Sequence, residues 1–210
     1  MAALALTTSE AGYVLGRSPS EINKAVDAGL IRADIHGGRS GSAKSRLFGK
    51  SELLCLKIAD ALENDLTPLG QRKIYEAIRR QPRDAQQVRV GVLTVEIGLF
   101  ERAIDERIER LMELRQRVDA IRSGEPVISG TAIPVYQIAG LAKGQTVEEI
   151  MEDYPSLSLD QVEGAIEYAK AYPKKGRPYP ARSFKRMIGD LGLDEIETEP
   201  AQEGPRLIPS

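Results

Sequence analysis

The chain has no tryptophan, three phenylalanines, one cysteine and one histidine among its 210 residues. Each shortage closes off a class of chemistry. A lone cysteine, Cys55, cannot form a disulfide within one chain, and Cys55 with His36 falls short of a Cys/His zinc site. Cys–His and Ser–His catalysis need a histidine held rigidly beside its nucleophile, and His36 opens a Gly/Ser-rich stretch that offers no such frame. Long apolar runs are missing as well. None approaches the roughly 20 residues of a bilayer span, and the start, Met1-Ala-Ala-Leu-Ala-Leu6, lacks the basic segment of a secretory leader. The expectation is a cytoplasmic protein with no membrane partner, no metal and no cofactor. Only carboxylates remain for catalysis, and Glu148, Glu149, Glu152 and Asp153 cluster on one helix. Adjacent acids on one helix ordinarily form a solvated face, so we do not expect an enzyme.

What the chain does have is 41% hydrophobic residues, enough for one or two mostly aliphatic cores. Its charge is uneven although the net value is only −2. Residues 1–50 carry seven basic and four acidic groups, whereas residues 118–173 carry three and nine. Residues 174–189 carry six basic and no acidic groups, and residues 190–210 carry one and six. Such segregation points to separate tasks for separate segments.

Local signals predict a mainly α protein with small β elements. Leu6, Ala11, Val14 and Leu15 mark a first short helix, and Gly16-Arg17 turns the chain. Ser18-Pro-Ser-Glu21 is a capping box with proline at the first helical position, and it opens a second helix that closes at Gly29. Ile22, Ala25 and Val26 should face inward, with Ser20, Asn23, Lys24 and Asp27 outward. Leu30-Ile31 reads as a short strand, residues 36–46 as a basic hairpin tip, and helices follow over about 51–63 and 67–80. Val88 to Ile97 is β-branched and reads as a strand or hairpin. Residues 99–117 form a charged helix with a narrow apolar seam of Ile104, Ile108, Leu111 and Leu114, which either pairs two subunits or packs on its own chain.

Gly124-Glu-Pro-Val-Ile-Ser-Gly-Thr-Ala-Ile-Pro-Val135 reads as a strand, a turn at Gly130-Thr131 and a second apolar stretch stopped by Pro134. Helices are predicted at about 136–143, 147–154 and 159–171. Thr146-Val-Glu-Glu149 and Ser158-Leu-Asp-Gln161 supply capping boxes for the last two. From Pro173 the composition shifts to proline, glycine and charge, so residues 174–210 read as a flexible tail. Within it Phe184, Met187, Ile188 and Leu191 fall at helical spacing.

Two resemblances add to this reading. Thr8-Ser-Glu-Ala-Gly-Tyr-Val-Leu-Gly16, Ser18-Pro-Ser-Glu-Ile22 and Ala28-Gly-Leu-Ile31 resemble the MerR-like winged helix-turn-helix. That implies a DNA-binding unit over residues 1–80, in which the helix after the turn enters the major groove and the wing tracks phosphates. The residues implied in DNA contact are Arg17, Ser18, Ser20, Asn23, Lys24, Arg32, Arg39, Lys44 and Arg46. Gly124 to Val135, Gly144-Gln-Thr-Val-Glu-Glu-Ile150, Tyr154-Pro-Ser-Leu157 and Val162-Glu-Gly-Ala-Ile-Glu-Tyr-Ala169 resemble the domain-of-unknown-function family 433, a group linked to antitoxins of the VapB type. Ala132 stands where that family usually has arginine.

The second resemblance implies a helical antitoxin unit over 118–173. The strand or hairpin and the connecting helix over 81–117 link it to the first unit, and the seam of that helix is the candidate dimerisation surface. The resemblance also implies a PIN-like ribonuclease toxin as partner, alongside operator DNA, a homodimer and a toxin–antitoxin hetero-oligomer. PIN-type nucleases hold metal ions with carboxylates, so an inhibitor gains by offering cations. On that basis Arg177, Arg182, Phe184, Lys185, Arg186, Met187, Ile188 and Leu191 of the 174–210 tail are the candidate toxin-binding residues. The same helix could instead dock on its own chain, or the basic run could contact DNA. The alternative function is a stand-alone MerR-like transcriptional regulator whose C-terminal unit binds a ligand or a protein.

Overall fold

Two hydrophobic cores organise the chain, and a single helix contributes to both. The computed structural model describes residues 4–36, 45–62, 65–82, 85–120 and 124–190. Among them, the first core gathers buried side chains from residues 6–114 together with Ala171, and the second gathers Ile128, Val135, Ile138, Leu141, Ile150, Leu157, Val162 and Ala165.

The first unit begins with strand β1 (Leu6–Thr7) and helix α1 (Thr8–Leu15). Thr7 caps α1 through a box with Glu10, and Gly16 ends it at φ 73°, where a side chain would be strained. Helix α2 (Pro19–Asp27) follows, capped by Ser18 and Glu21 as its sequence foretold. Ile22 and Ala25 are buried and Val26 packs beside them. Leu30 and Ile31 lie in no strand; Ile31 instead drops into the core, and pairing starts at strand β2 (Asp34–His36). Burial of one apolar side chain outweighed the local β-preference of the pair.

Strand β3 (Ser45–Phe48) lies between β1 and β2, antiparallel to both, with Leu6 opposite Phe48 and Ile35 opposite Arg46. Helix α3 (Lys50–Ala61) packs on this sheet, and α4 (Pro68–Arg80) packs on α3. Strands β4 (Gln87–Val90) and β5 (Leu93–Glu96) form a tight hairpin around Gly91 at φ 62°.

Helix α5 (Gly98–Gln116) runs back across α1 and α3. Its seam of Ile104, Ile108, Leu111 and Leu114 is buried inside its own chain, at 8% exposure or less. Those four side chains are therefore spent on the intramolecular core and cannot also form a subunit seam.

The second unit starts with strands β6 (Val118–Ala120) and β7 (Pro126–Ile128), an antiparallel pair. The turn at Gly130 has φ 75°, and the Gly130 amide donates to Asp119 Oδ2 at 3.2 Å. Helices α6 (Val135–Leu141), α7 (Val147–Asp153) and α8 (Leu159–Ala171) follow, with Thr146 and Ser158 capping the last two as expected. A final short helix α9 (Phe184–Asp190) ends the described chain. No described helix is long and apolar enough to cross a membrane.

Candidate functional site

The two units are joined by polar side chains on one face of α1. Glu10 and Tyr13, three positions apart, point the same way. Glu10 is 2% exposed, and its Oε2 accepts from the Thr7 amide at 2.8 Å and the Thr7 hydroxyl at 2.9 Å. Its Oε1 accepts from Tyr172 at 2.8 Å and from Arg115. Burial works against its ionisation, but the donors from Thr7, Tyr172 and Arg115 prevail and hold the carboxyl below the usual glutamate range.

One turn further along, the Tyr13 hydroxyl donates to Glu167, which also receives Arg110 Nε at 3.0 Å and Nη2 at 2.6 Å. Burial and the bond to Glu167 push the Tyr13 phenol up to about 12. The Arg107 guanidinium stacks 4.2 Å from the Tyr13 ring and donates to the Tyr13 carbonyl at 2.8 Å. This clasp of α1, α5 and α8 was invisible along the chain, because its members lie up to 162 positions apart. Glutamate and tyrosine together on the face of a short helix were its only local trace.

Between the units runs an open groove of about 1350 Å³. Asn23, Arg46 and Arg115 line one part, and Tyr136, Tyr168 and Lys174 another. The rings of Tyr168 and Tyr172 lie 4.6 Å apart and that of Tyr136 sits 6.4 Å from Tyr168.

The nine residues predicted to meet DNA fall into three groups. Arg17 pairs with Asp60, Ser18 is spent on its helix cap, and Arg46 reaches Asn23 Oδ1 at 2.9 Å and Asp27 Oδ1 at 2.7 Å. Ser20, Lys24 and Arg32 are exposed, with Arg32 only loosely placed at 3.9 Å from Glu76. Arg39 and Lys44 lie outside the described residues. The outer face of α2 is thus presented by Ser20 and Lys24, while Asn23 and Arg46 brace that helix against β3.

The tail holds the largest departure from expectation. Residues 174–188, read as flexible, lie along the second unit as a strap. Lys174 Nζ sits 3.2 Å from Glu125 Oε1, and the Tyr179 hydroxyl donates to Glu125 Oε2 at 2.8 Å. Ser183 is buried at 8% exposure, its amide donating to Gln145 Oε1 at 3.0 Å and its hydroxyl to Asp153 Oδ2 at 2.6 Å. Arg186 spreads over Asp153 at 3.2 Å, Glu149 at 3.3 Å and Glu152 at 2.7 Å. Prolines and charge argue for disorder only when no partner surface is near, and here the acidic face of α7 supplies one.

Of the predicted toxin-binding set, Arg186 turns inward and Ile188 is half-buried. Phe184 at 75% exposure, Met187 at 43% and Lys185 point outward. Arg177 and Arg182 are exposed, and Leu191 lies outside the described residues. Three members of the acidic cluster on α7 are therefore occupied by a guanidinium, and no group of three or more metal-ligating side chains is assembled among the described residues.

Comparison with known proteins places these units in a lineage. Residues 117–169, from the end of α5 to near the end of α8, match the family described as "Protein of unknown function (DUF433)". No solved structure matches the chain. The "Uncharacterized protein y4eO" of Sinorhizobium fredii (strain NBRC 101917 / NGR234) is 37% identical over 205 residues, which spans 89% of this chain and 86% of the other. At that identity and coverage the chain belongs to the family of this Sinorhizobium fredii protein, and its residues 117–169 match DUF433.

Proposed function

We propose that the chain is the antitoxin of a type II toxin–antitoxin system, which binds and neutralises a PIN-like ribonuclease in the cytoplasm and represses its own operon by binding DNA. In this reading the first unit is a MerR-like winged helix-turn-helix. Helix α2 enters the major groove with Ser20 and Lys24 at base edges, and Arg32, Arg39 and Lys44 approach phosphates. A homodimer would join two half-sites, and its contacts would lie elsewhere than the buried seam of α5.

The observation that carries the toxin-binding half is the seat of Arg186. Released from Glu149, Glu152 and Asp153, which it satisfies together in the free chain, the same guanidinium has the reach and fork geometry to enter a nuclease's metal-binding carboxylates. Phe184 and Met187, exposed on the same helix, supply apolar anchors beside it. The test is co-expression with the adjacent reading frame. Rescue of growth and co-purification are expected, together with a gel shift of the chain's own upstream fragment. A chain that neither rescues growth nor shifts that fragment would overturn the reading.

The groove between the units favours a second reading, a stand-alone MerR-like regulator that binds a small molecule among Tyr136, Tyr168 and Tyr172. A neighbouring efflux or metabolic gene, with no toxicity to neutralise, would select it.

A further inference from the structure

The strap is seated in a surface that has the features of a peptide-recognition site. Its first element is a cradle without side chains. A Cβ on Gly140 would fall 2.7 Å from the Tyr179 Cβ, and one on Gly144 would fall 2.7 Å from the Ala181 carbonyl oxygen. Both distances are closer than real Cβ contacts, so only glycine at these positions lets the backbone of residues 179–181 lie against α6 and the turn after it. Small residues that let two backbones approach are a device for close packing.

The second element reads one serine. Gln145 accepts the Ser183 amide and donates its own Nε2 to Asp153 Oδ2 at 2.9 Å, which orients the carboxylate toward the Ser183 hydroxyl. The Asp153 side chain is 4% exposed, so that single oxygen, which receives Gln145, Ser183 and Arg186, is shielded from water. The third element reads charge three residues on. Arg186 Nη2 donates to the Glu149 carbonyl at 3.3 Å as well as to Glu152. Ser183 also caps the first turn of α9, with its Oγ 3.4 Å from the Arg186 amide, so serine and arginine are held at the one separation that fits both pockets.

We propose that Gly140, Gly144, Gln145, Glu149, Glu152 and Asp153 form a docking site for a peptide of the pattern Pro-small-x-Ser-x-x-Arg. It is filled in cis by residues 180–186 and able to take the same segment from a second copy of the chain. The site is built entirely on the DUF433 unit, and it stands whether or not a nuclease is the partner. A ligand lacking the serine would take the hydroxyl donor from Asp153 in a place shielded from water, and a ligand lacking the arginine would leave three carboxylates facing one another.

The probe is a fluorescein-labelled peptide with the sequence of residues 173–190, titrated by anisotropy into three forms of the full-length chain. The chain carrying S183A and R186A, whose own strap is crippled, should bind the peptide at least tenfold more tightly than the wild-type chain, in which the site is already filled. Adding D153N to that variant, or using a peptide that carries R186A, should weaken binding tenfold or more. Amide exchange gives an independent readout. The Ser183 amide should be protected in the wild-type chain and lose protection in the G144V and D153N variants, with the exchange of α5 and α8 unchanged. A crippled-strap chain that binds no peptide, or binds it equally with and without D153N, overturns the proposal, as does a Ser183 amide indifferent to both substitutions.

Discussion

Tyr172, at the C-terminal end of α8, donates its hydroxyl to Glu10 on α1 at 2.8 Å, across 162 positions of the chain. Through that bond the DUF433 unit is fastened to the unit that precedes it. Tyr168 and Tyr172 pack on the first core, and Tyr168 also touches the second. Any surface on α2 is therefore carried in a set relation to α6–α8, and five outcomes follow from particular contacts.

Removing the clasp should loosen both units together. Tyr172→Phe takes one donor from a carboxylate that keeps Thr7 and Arg115, so about 1 kcal/mol of stability should be lost. Glu10→Ala leaves the Thr7, Tyr172 and Arg115 donors unmatched and should cost about 1–3 kcal/mol. Urea unfolding followed by far-UV and near-UV signals would show a single shifted transition. Two separate transitions in the native chain would mean that the clasp does not couple the units.

The clasp should also weaken in acid. The Glu10 and Glu167 carboxyls lie below their ordinary values in the folded chain, because hydrogen bonds and nearby arginines outweigh the burial that opposes ionisation. A depressed folded-state pKa contributes stability that is complete above the unfolded value of about 4.3 and fades as pH falls through the folded one. The stability gap between the wild-type chain and Glu10→Gln should accordingly narrow from pH 7 to pH 3. A gap that widens in acid would contradict the assignment.

Cys55 should be inert in the native chain. It is 1% exposed, and burial, with Glu52 adding to it, pushes its thiol up to about 12, so thiolate is scarce at neutral pH. An aromatic disulfide reagent should titrate one thiol in urea and almost none in buffer. Rapid stoichiometric reaction of the folded chain would show the site to be open.

Leu111→Ala should lower stability by about 2–5 kcal/mol, as expected for a large-to-small change at a buried position, and leave the oligomeric state alone. Light scattering after size exclusion, alongside urea unfolding, separates the two effects. Dissociation of an oligomer with little loss of monomer stability would return the α5 seam to a subunit interface.

If α2 meets DNA as proposed, with Lys24 at a base edge, Lys24→Ala should weaken operator binding and cost the preference for the operator, with the slope of log affinity against log salt little changed. A slope lowered by about 1 with the preference kept would instead put Lys24 on a phosphate. Arg17→Ala and Arg46→Ala should lower thermal stability as well, since those side chains brace the unit through Asp60, Asn23 and Asp27.

Short-range chemistry was enough to place the helices. The boxes at Ser18–Glu21, Thr146–Glu149 and Ser158–Gln161, the glycine at 130 and the 3.6-residue seam of Ile104, Ile108, Leu111 and Leu114 all act within a few bonds or one turn, so a linear reading captures them. That reading also located Arg186 and Lys24 as residues of interest. Other features required residues distant along the chain to meet in space. The α5 seam turned toward α1 and α3, Arg17 and Arg46 found Asp60 and Asp27, and a segment with the composition of a loose tail lay down on α7. Periodicity says that a face is apolar or charged, but not which surface will cover it. Glu10 shows why: a charged side chain is buried because Tyr172 and Arg115 arrive to meet it, and nothing within a turn of Glu10 announces either one.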